Sequence, residues 1–474
     1  MLSAKSPVDQ TFLASTLCKE GEFFDIKQLG EWLDKKRQQN HFLVEQIPLK
    51  NLTQWHFDKQ TGNLIHNSGR FFAIEGLSVT WLSETRLSKT GTSEKEITWQ
   101  QPIINQPEIG ILGIITCVVG GVRYFLMQAK MEPGNIGFVQ LSPTVQATES
   151  NFSRVHQGAE PPYLHYFLDR TKSRILIDQI HSEQGGRFYR KRNRNIIVEI
   201  PTKIKINENF CWLTLGQINA ALKQDNVVNL DSRSVLSCVP CFEINPSPKI
   251  SDDIILSMQS RSETLRSFVD VVSWIAKIKN ANRLTTELMP LNEVKGWVIN
   301  ENEIKDSNNE FFSILAVKVH ADNREVSSWD QPLIKSISSG LLGFVTKKIN
   351  GILHFLVHAK VEVGNMDVVE IAPTVSCSNY LQKYQNKKAI PFLDLFIAPA
   401  ADRIKYCAYQ SEEGGRFYQL QNKNIVIEVE PDQLNQIPAD FEWLTLYQMA
   451  ELQRRGFLNI DARTLLTCVR FSLE

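Results

Sequence analysis

This chain of 474 residues carries its distinctive phrases twice. "QAKMEPGNIGFVQLSPTV" at 128–145 returns as "HAKVEVGNMDVVEIAPTV" at 358–375, an offset of 230. "DSRSVLSCV" at 231–239 returns as "DARTLLTCV" at the same offset, and "FCWLTLGQI" at 210–218 as "FEWLTLYQM" at 441–449. "TWQQP" at 98–102 matches "SWDQP" at 328–332, and "SEQGGRFY" at 182–189 matches "SEEGGRFY" at 411–418. Further upstream, Trp32 and Trp55 stand 23 apart, as do Trp274 and Trp297. Their larger offset of 242 gives the first copy an insertion near "SETRLSKTGTSEKEI". A period this long exceeds the roughly 20–50 residues of a solenoid repeat, so each copy is expected to be a domain. The copies run over 1–242 and 262–474, with 243–261, opening "EINPSPKISDD", as the linker.

Each copy opens on a helical spacing of apolar residues: Ile26, Leu29, Trp32 and Leu33, then Leu265, Phe268, Val272 and Ile275. Two β-rich runs follow on either side of a Gly-Gly turn at 120–121 and an Asn-Gly turn at 350–351, the signature of hairpins. Further strands are expected at "FVQLSPTV", "RILIDQIH" and "NIIVEI". A closing helix should start at Thr214 and at Thr445, with Gln217 and Gln448 completing capping boxes. Helix, mixed strands, then helix makes an α+β fold rather than a βαβ alternation.

Lys plus Arg and Asp plus Glu both number 52, so no global field draws nucleic acid or an anionic membrane. The basic run "RKRNRN" after the first "GGRFY" is a local feature, absent from "QLQNKN" after the second. Eight cysteines are scattered singly, which suits reduced thiols in a cytoplasmic protein. "MLSAKSPVDQTF" lacks the basic start and apolar core of a signal peptide. The longest apolar runs, such as "ILGIITCVV", fall short of the roughly 20 residues of a spanning helix.

Three features together resemble the NDP-hexose 2,3-dehydratases: the "AK-x-EPGN-x₄-QLSPTVQAT-x-SNF" motif, the "EQGGRFY-x-KRNRN" strand pair, and "WLTL". The resemblance covers nearly the whole chain. It implies two fused Nudix-like domains, each able to hold a nucleotide sugar, in a homodimer. It also implies loss of water from dTDP-4-keto-6-deoxyglucose in deoxysugar biosynthesis, with a 3-ketoreductase acting next. The second copy departs from the pattern: Val363 replaces the proline, and "SCSNY" replaces "QATESNF". Nudix hydrolysis needs a glutamate-rich R-E-x-x-E-E helix to hold metal against pyrophosphate, and no such segment occurs here. A non-catalytic nucleotide-sugar binder is the other alternative.

For the reaction that the resemblance implies, a base must take the hydrogen on carbon 3, acidified by the neighbouring ketone. Donors must hold the enolate oxygen, and an acid must protonate the departing 2-hydroxyl. In the gluco configuration that hydrogen and hydroxyl share a face, which favours a stepwise enolate route with one residue as base and then acid. No redox cofactor or metal is demanded. The candidates for this chemistry are Glu132, Glu362, Tyr189, Tyr418 and His156, with His165 in the same unrepeated segment. Arg187 and Arg416 are the candidate pyrophosphate clamps, beside Ser182, Ser411, Gly414 and Gly415. Lys130 and Lys360 suit the ketone or a phosphate, and Trp55 and Trp297 could stack a base. Hydroxyls and amides of Thr144, Val145, Gln146, Thr148, Pro373, Thr374 and Val375 suit ribose or sugar. Each has an ordinary alternative: a surface lysine, a packed ring, a solvated arginine, a strand turning at proline.

Overall fold

The computed structural model describes residues 7–39, 41–87, 91–149, 160–201, 203–240, 253–261, 264–322, 326–386 and 389–472. Most of the expected linker lies outside these residues, apart from the helix Asp253–Gln259. The fold is α+β. Two seven-stranded mixed sheets follow one plan. In the first, the order is Arg174–Ser182, Arg192–Glu199, Gly110–Val119, Val122–Met131, Phe210–Leu213. In the second it is Ile404–Ser411, Gln421–Glu428, Gly340–Ile349, Ile352–Val361, Phe441–Leu444. Each has one parallel pair near its middle and two short extra strands on the hairpin.

Local sequence explains these elements. The hairpins turn where expected, with positive φ at Gly120, Gly121, Asn350 and Gly351, as a type I′ turn requires. Gly110–Val119 and Gly340–Ile349 read as near-continuous apolar runs because both of their faces are covered. Both capping boxes form: Gln217 N–H donates to Thr214 Oγ1 at 3.1 Å and Gln448 N–H to Thr445 Oγ1 at 3.3 Å. Ile26 falls in a 3-10 turn ahead of helix Leu29–Gln39, and Leu265 precedes helix Phe268–Asn280. Among the described residues, no helix is long and apolar enough to cross a membrane.

The sequence copies and the physical sheets do not coincide everywhere. Phe42–Ile47 leaves the first copy to pair antiparallel with Phe312–Ala321 of the second. Its counterpart Asn282–Met289 crosses back to pair with Ala73–Leu87. The largest apolar core draws on both copies, from Leu112 and Phe125 to Phe344 and Leu465. Helices Leu230–Ser237 and Ile460–Arg470 meet in it, with Thr467 Oγ1 donating to Arg233 O at 2.8 Å.

A third crossing joins the "GGRFY" turns to the Gly-Asn turns. Gly134 N–H donates to Gly414 O at 2.8 Å, and Gln419 N–H to Gly134 O at 2.8 Å. In mirror fashion, Gly364 N–H donates to Gly185 O and Arg190 N–H to Gly364 O, both at 2.7 Å. The backbones lie so close that a Cβ on Gly134 would sit 1.6 Å from Phe417 O, and one on Gly364 1.8 Å from Phe188 O. Gly134→Ala or Gly364→Ala is therefore expected to cost about 3 kcal/mol or more, read as a lower denaturant midpoint, while Gly120→Ala on the open hairpin tip unfolds nearer to wild type.

Buried serines brace the same crossing. Ser182 Oγ donates to Glu370 Oε2 at 2.6 Å, and Ser411 Oγ donates to Gln140 Oε1 at 2.7 Å. Burial pushes the Glu370 carboxyl up to about 8, despite the Ser182 hydrogen bond. Because this folded value lies above the unfolded one, the folded state holds its proton while the unfolded state releases it. Stability is thus lost as pH rises from about 4.5 to about 8 and is unaffected below that window. Gln140 shows that an amide fits the equivalent position. Glu370→Gln should raise the melting temperature at pH 8 and leave it unchanged at pH 4, measured by calorimetry across that range.

Candidate active site

The strand Val122–Met131 ends where a cleft begins. Lys130 and Glu132 flank Met131, and the two-residue period of a strand sends Met131 into the core and its neighbours to the opposite face. Gln146 likewise sits between the buried Val145 and Ala147, and its amide donates to Glu132 Oε1 at 2.8 Å. Lys130 Nζ lies 3.7 Å from the same oxygen. Asn229 caps helix Leu230–Ser237 through the Ser232 N–H at 2.8 Å and donates to Gln146 Oε1 at 3.2 Å. That cap brings Asp231, in the first helical turn, into the lining of the cleft.

Part of the remaining wall comes from the second copy. Its arginine turn supplies Glu413, Gly415 and Arg416, and strand Ser328–Ser336 supplies Trp329 and Gln331. Gln331 Nε2 donates to Gly415 O at 2.8 Å and is itself held by Trp329 Nε1 at 2.8 Å. The Arg416 guanidinium lies 4.2 Å from the Phe72 ring centroid. It donates to Gly415 O at 2.8 Å and, through two nitrogens, to Gln106 Oε1 at 3.2 and 3.3 Å. Three of its five N–H donors are thereby used. Trp55 packs 4.6 Å from Phe72 and donates its indole N–H to Asp330 O at 2.9 Å, so an aromatic wall bridges the copies. Lys191 enters from the first copy and bonds the Glu108 carbonyl.

Glu132, Asp231 and Glu413 thus share one cleft with Lys130, Lys191 and Arg416. Burial, reinforced by the charges of Glu413, Glu132 and Glu183, holds Asp231 well above the ordinary carboxylate range against the pull of Lys130. Burial also raises Glu413, opposed by Arg416 and helped by Glu132. Burial lowers Lys191, opposed by Glu108 and Glu183. A carboxyl whose proton affinity is raised takes a proton more readily and can later return it, which is what a base-then-acid sequence needs. Among the described residues, no three His, Cys, Asp or Glu side chains are grouped to hold a metal ion.

The mirror cluster in the second copy keeps the frame and changes the chemistry. Lys360 Nζ lies 2.7 Å from Glu362 Oε1 and donates to Ser376 Oγ at 3.0 Å. Ser376 Oγ donates to Asp461 Oδ2 at 2.6 Å. Burial would lower Lys360, but Glu362 and Asp461 outweigh it and raise the amine. Arg187 lies 4.2 Å from the Phe312 ring centroid, as Arg416 does from Phe72, and burial pushes it down to about 10. Gln184 stands where the first cleft has Glu413, Leu420 where it has Lys191, and Ser376 where it has Gln146.

Several expected site residues come together, and others do not. Glu132, Lys130, Gln146, Thr148, Trp55, Gly415 and Arg416 line the first cleft, and Gly414 closes it from behind against Asn135. Glu362, Lys360 and Arg187 join in the second cluster, while Trp297 mirrors Trp55 by donating to Gln100 O at 3.1 Å. Thr144 and Thr374 are structural: Thr144 Oγ1 accepts from Ile115 N–H, and Thr374 Oγ1 from Val345 N–H, both at 2.9 Å. Val145, Val375 and Pro373 are buried, the two valines in the outer cores. Ser182 and Ser411 are spent on the inter-copy braces. Tyr189 and Tyr418 pack against apolar clusters beside Val363 and Leu315 rather than lining the first cleft. His165 is exposed against Tyr166, and His156 lies outside the described residues. Asp231, Glu413 and Lys191 were not singled out from sequence. The readable signal for two of them was their replacement, Glu413 by Gln184 and Lys191 by Leu420, in the other copy.

A family profile described as NDP-hexose 2,3-dehydratase matches residues 26–239 and 269–469. Three relatives share the name dTDP-4-dehydro-6-deoxy-alpha-D-glucopyranose 2,3-dehydratase. The one from Saccharopolyspora spinosa is 44% identical over 92% of this chain and 89% of its own. The one from Amycolatopsis orientalis is 42% identical over 96% of this chain and 92% of its own. The third, from Streptomyces violaceoruber, is 37% identical over 94% and 97% respectively.

Proposed function

Since this chain belongs to the NDP-hexose 2,3-dehydratase family, we propose that it is a hydro-lyase acting on dTDP-4-dehydro-6-deoxyglucose, and that the first cleft is where water is lost. The single observation that carries this reading is the meeting of Glu132, Asp231 and Glu413 with Lys130 and Lys191 in one cleft. The lysines are suited to hold the enolate oxygen on carbon 4 while a carboxylate takes the hydrogen from carbon 3. The enolate then reforms the ketone and expels the 2-hydroxyl, which leaves as water with the proton that the carboxyl returns. The product is an enol at carbon 3 that becomes a 3-ketone, so a reductase acting at that carbon must consume it.

Arg416, with two donors unspent, is suited to the diphosphate, and the Trp55–Phe72 wall to the flat face of thymine. The second cluster, with Gln184 for Glu413 and Leu420 for Lys191, keeps its arginine and loses much of the proton-transfer equipment. We read it as a second nucleotide-sugar site that binds without turning substrate over. A Nudix-like ancestry for each copy and a homodimeric assembly in the cytoplasm complete the proposal.

Incubating the protein with dTDP-4-dehydro-6-deoxyglucose, a 3-ketoreductase and NADPH should give a 2-deoxy sugar nucleotide, seen by mass spectrometry as loss of one water before reduction. Released sugar phosphate would point to a hydrolase, and unchanged substrate to a binder. Arg416→Ala should weaken nucleotide-sugar binding at the first site by about 1.5–3 kcal/mol and cut turnover. Arg187→Ala should weaken only the second binding event, which calorimetry would resolve.

A further inference from the structure

The first cleft and the mirror cluster differ most sharply at one contact. In the second copy's cluster, Glu412 is fully paired: Asn422 Nδ2 donates to Oε1 and Gln184 Nε2 donates to Oε2. Its counterpart Glu183 receives the equivalent bond from Asn193 Nδ2 to Oε1, at 2.8 Å. Its Oε2 is buried and meets no donor. The residue at the position of Gln184 is Glu413, and a carboxylate has no hydrogen to give. A buried carboxyl, Glu183, and a half-buried one, Glu413, stand where the other copy has an amide donating to a carboxylate.

Building on the dehydration reading, we propose that Glu183 and Glu413 share one proton, and that Glu413 is the catalytic base–acid of the first cleft with Glu183 as its positioning residue. Glu413 lines the cleft and Glu183 lies behind it, so only Glu413 reaches substrate. In the resting state the proton sits on Glu183 Oε2 and is donated to the Glu413 carboxylate. Glu413 takes the carbon-3 hydrogen as a proton, its bonding pair forming the enolate. It then returns that proton to the oxygen leaving carbon 2, and one water departs with no other reactant consumed.

The surrounding charges fit a shared proton. Arg463 and Lys191 face Glu183, and Arg416, Lys191 and Lys130 face Glu413. These cations keep the pair from being doubly protonated. Burial and the nearby Glu132 carboxylate keep it from being doubly ionised. In the second cluster, burial and the Asp461 charge push Glu412 up to about 7 against its bonds from Gln184 and Asn422, and an amide stands where a second carboxyl could share its proton.

The test uses full-length Glu413→Gln, which installs the amide that the other copy carries as Gln184, and full-length Glu183→Gln, with melting curves to verify the folding of both. Wild-type-minus-variant infrared difference spectra at pH 7 should show, for each variant, the loss of one protonated-carboxyl band, while the band of Glu370, which also holds its proton at that pH, cancels. Glu413→Gln should lower dehydration and carbon-3 hydrogen exchange by about 100-fold or more, with nucleotide-sugar affinity unchanged. Glu183→Gln keeps a donor on the Glu413 carboxylate but has no proton to lose, so the upper inflection of the wild-type kcat/KM profile, where the pair becomes doubly ionised, should be absent from it. A profile superimposing on wild type, a missing band, or a Glu413→Gln enzyme within a few-fold of wild type overturns the proposal. If wild type shows the band and releases no water, the pair stands and the dehydration reading falls instead.

Discussion

The clasp between the Gly-Asn turn of each copy and the double-glycine turn of the other is the contact from which the rest follows. Two backbone hydrogen bonds on each side hold main chains so close that Gly134 and Gly364 have no room for a methyl group. Backbone groups can bond at that distance only if side chains are absent, so the glycines are set by the approach rather than by unusual φ. The approach in turn aims Arg416 and Glu413 into the cleft of the first copy and brings Arg187 and Gln184 to the carboxyls of the second cluster. Neither cleft is a property of one copy.

This arrangement lets two nearly identical frames hold different chemistry. Asn193 and Asn422, Arg233 and Arg463, Thr214 and Thr445 do the same structural work on both sides. Arg463 donates to Ser182 O at 2.6 Å, and Arg233 reaches the equivalent Ser411 carbonyl. The differences fall on side chains that face the clefts: Gln146 against Ser376, Lys191 against Leu420, Glu413 against Gln184. Two facing carboxyls on one side become an amide bonded to a single carboxyl on the other. Within the clasp, the backbone groups are the same on both sides.

Much of this was legible from the sequence, and the rest was hidden for physical reasons. The Gly-Gly and Asn-Gly hairpins, the capping threonines and the placing of Lys130 and Glu132 at the end of a hairpin strand are local patterns, so local reading found them. The exchange of Phe42–Ile47 and Asn282–Met289 was not legible, because two copies with the same strand pattern offer each strand two equally good partners. Thr144 and Thr374 looked available for a ligand, yet their hydroxyls bridge neighbouring strands, a bond between residues distant in the chain. Asp231 reads as an ordinary acidic residue in a first helical turn, and only the packing of that helix on the hairpin strand turns it to the cleft. Lys191 was masked by the arginines around it, of which Arg194 pairs with Asp178 at 2.7 Å.

The exchanged strands also set an order of events during synthesis. When the first copy has left the ribosome, Ala73–Leu87 still lacks its neighbour Asn282–Met289, and Phe42–Ile47 has no sheet to join. The first cleft lacks its arginine until residue 416 emerges. For the time it takes to translate the second half, the nascent chain must carry an open sheet edge and an unpartnered strand. Those are the features that invite pairing with a neighbouring nascent chain of the same kind. The long sequence separation of these contacts makes closure slow, so crowded polysomes are where this molecule is most exposed to misassembly.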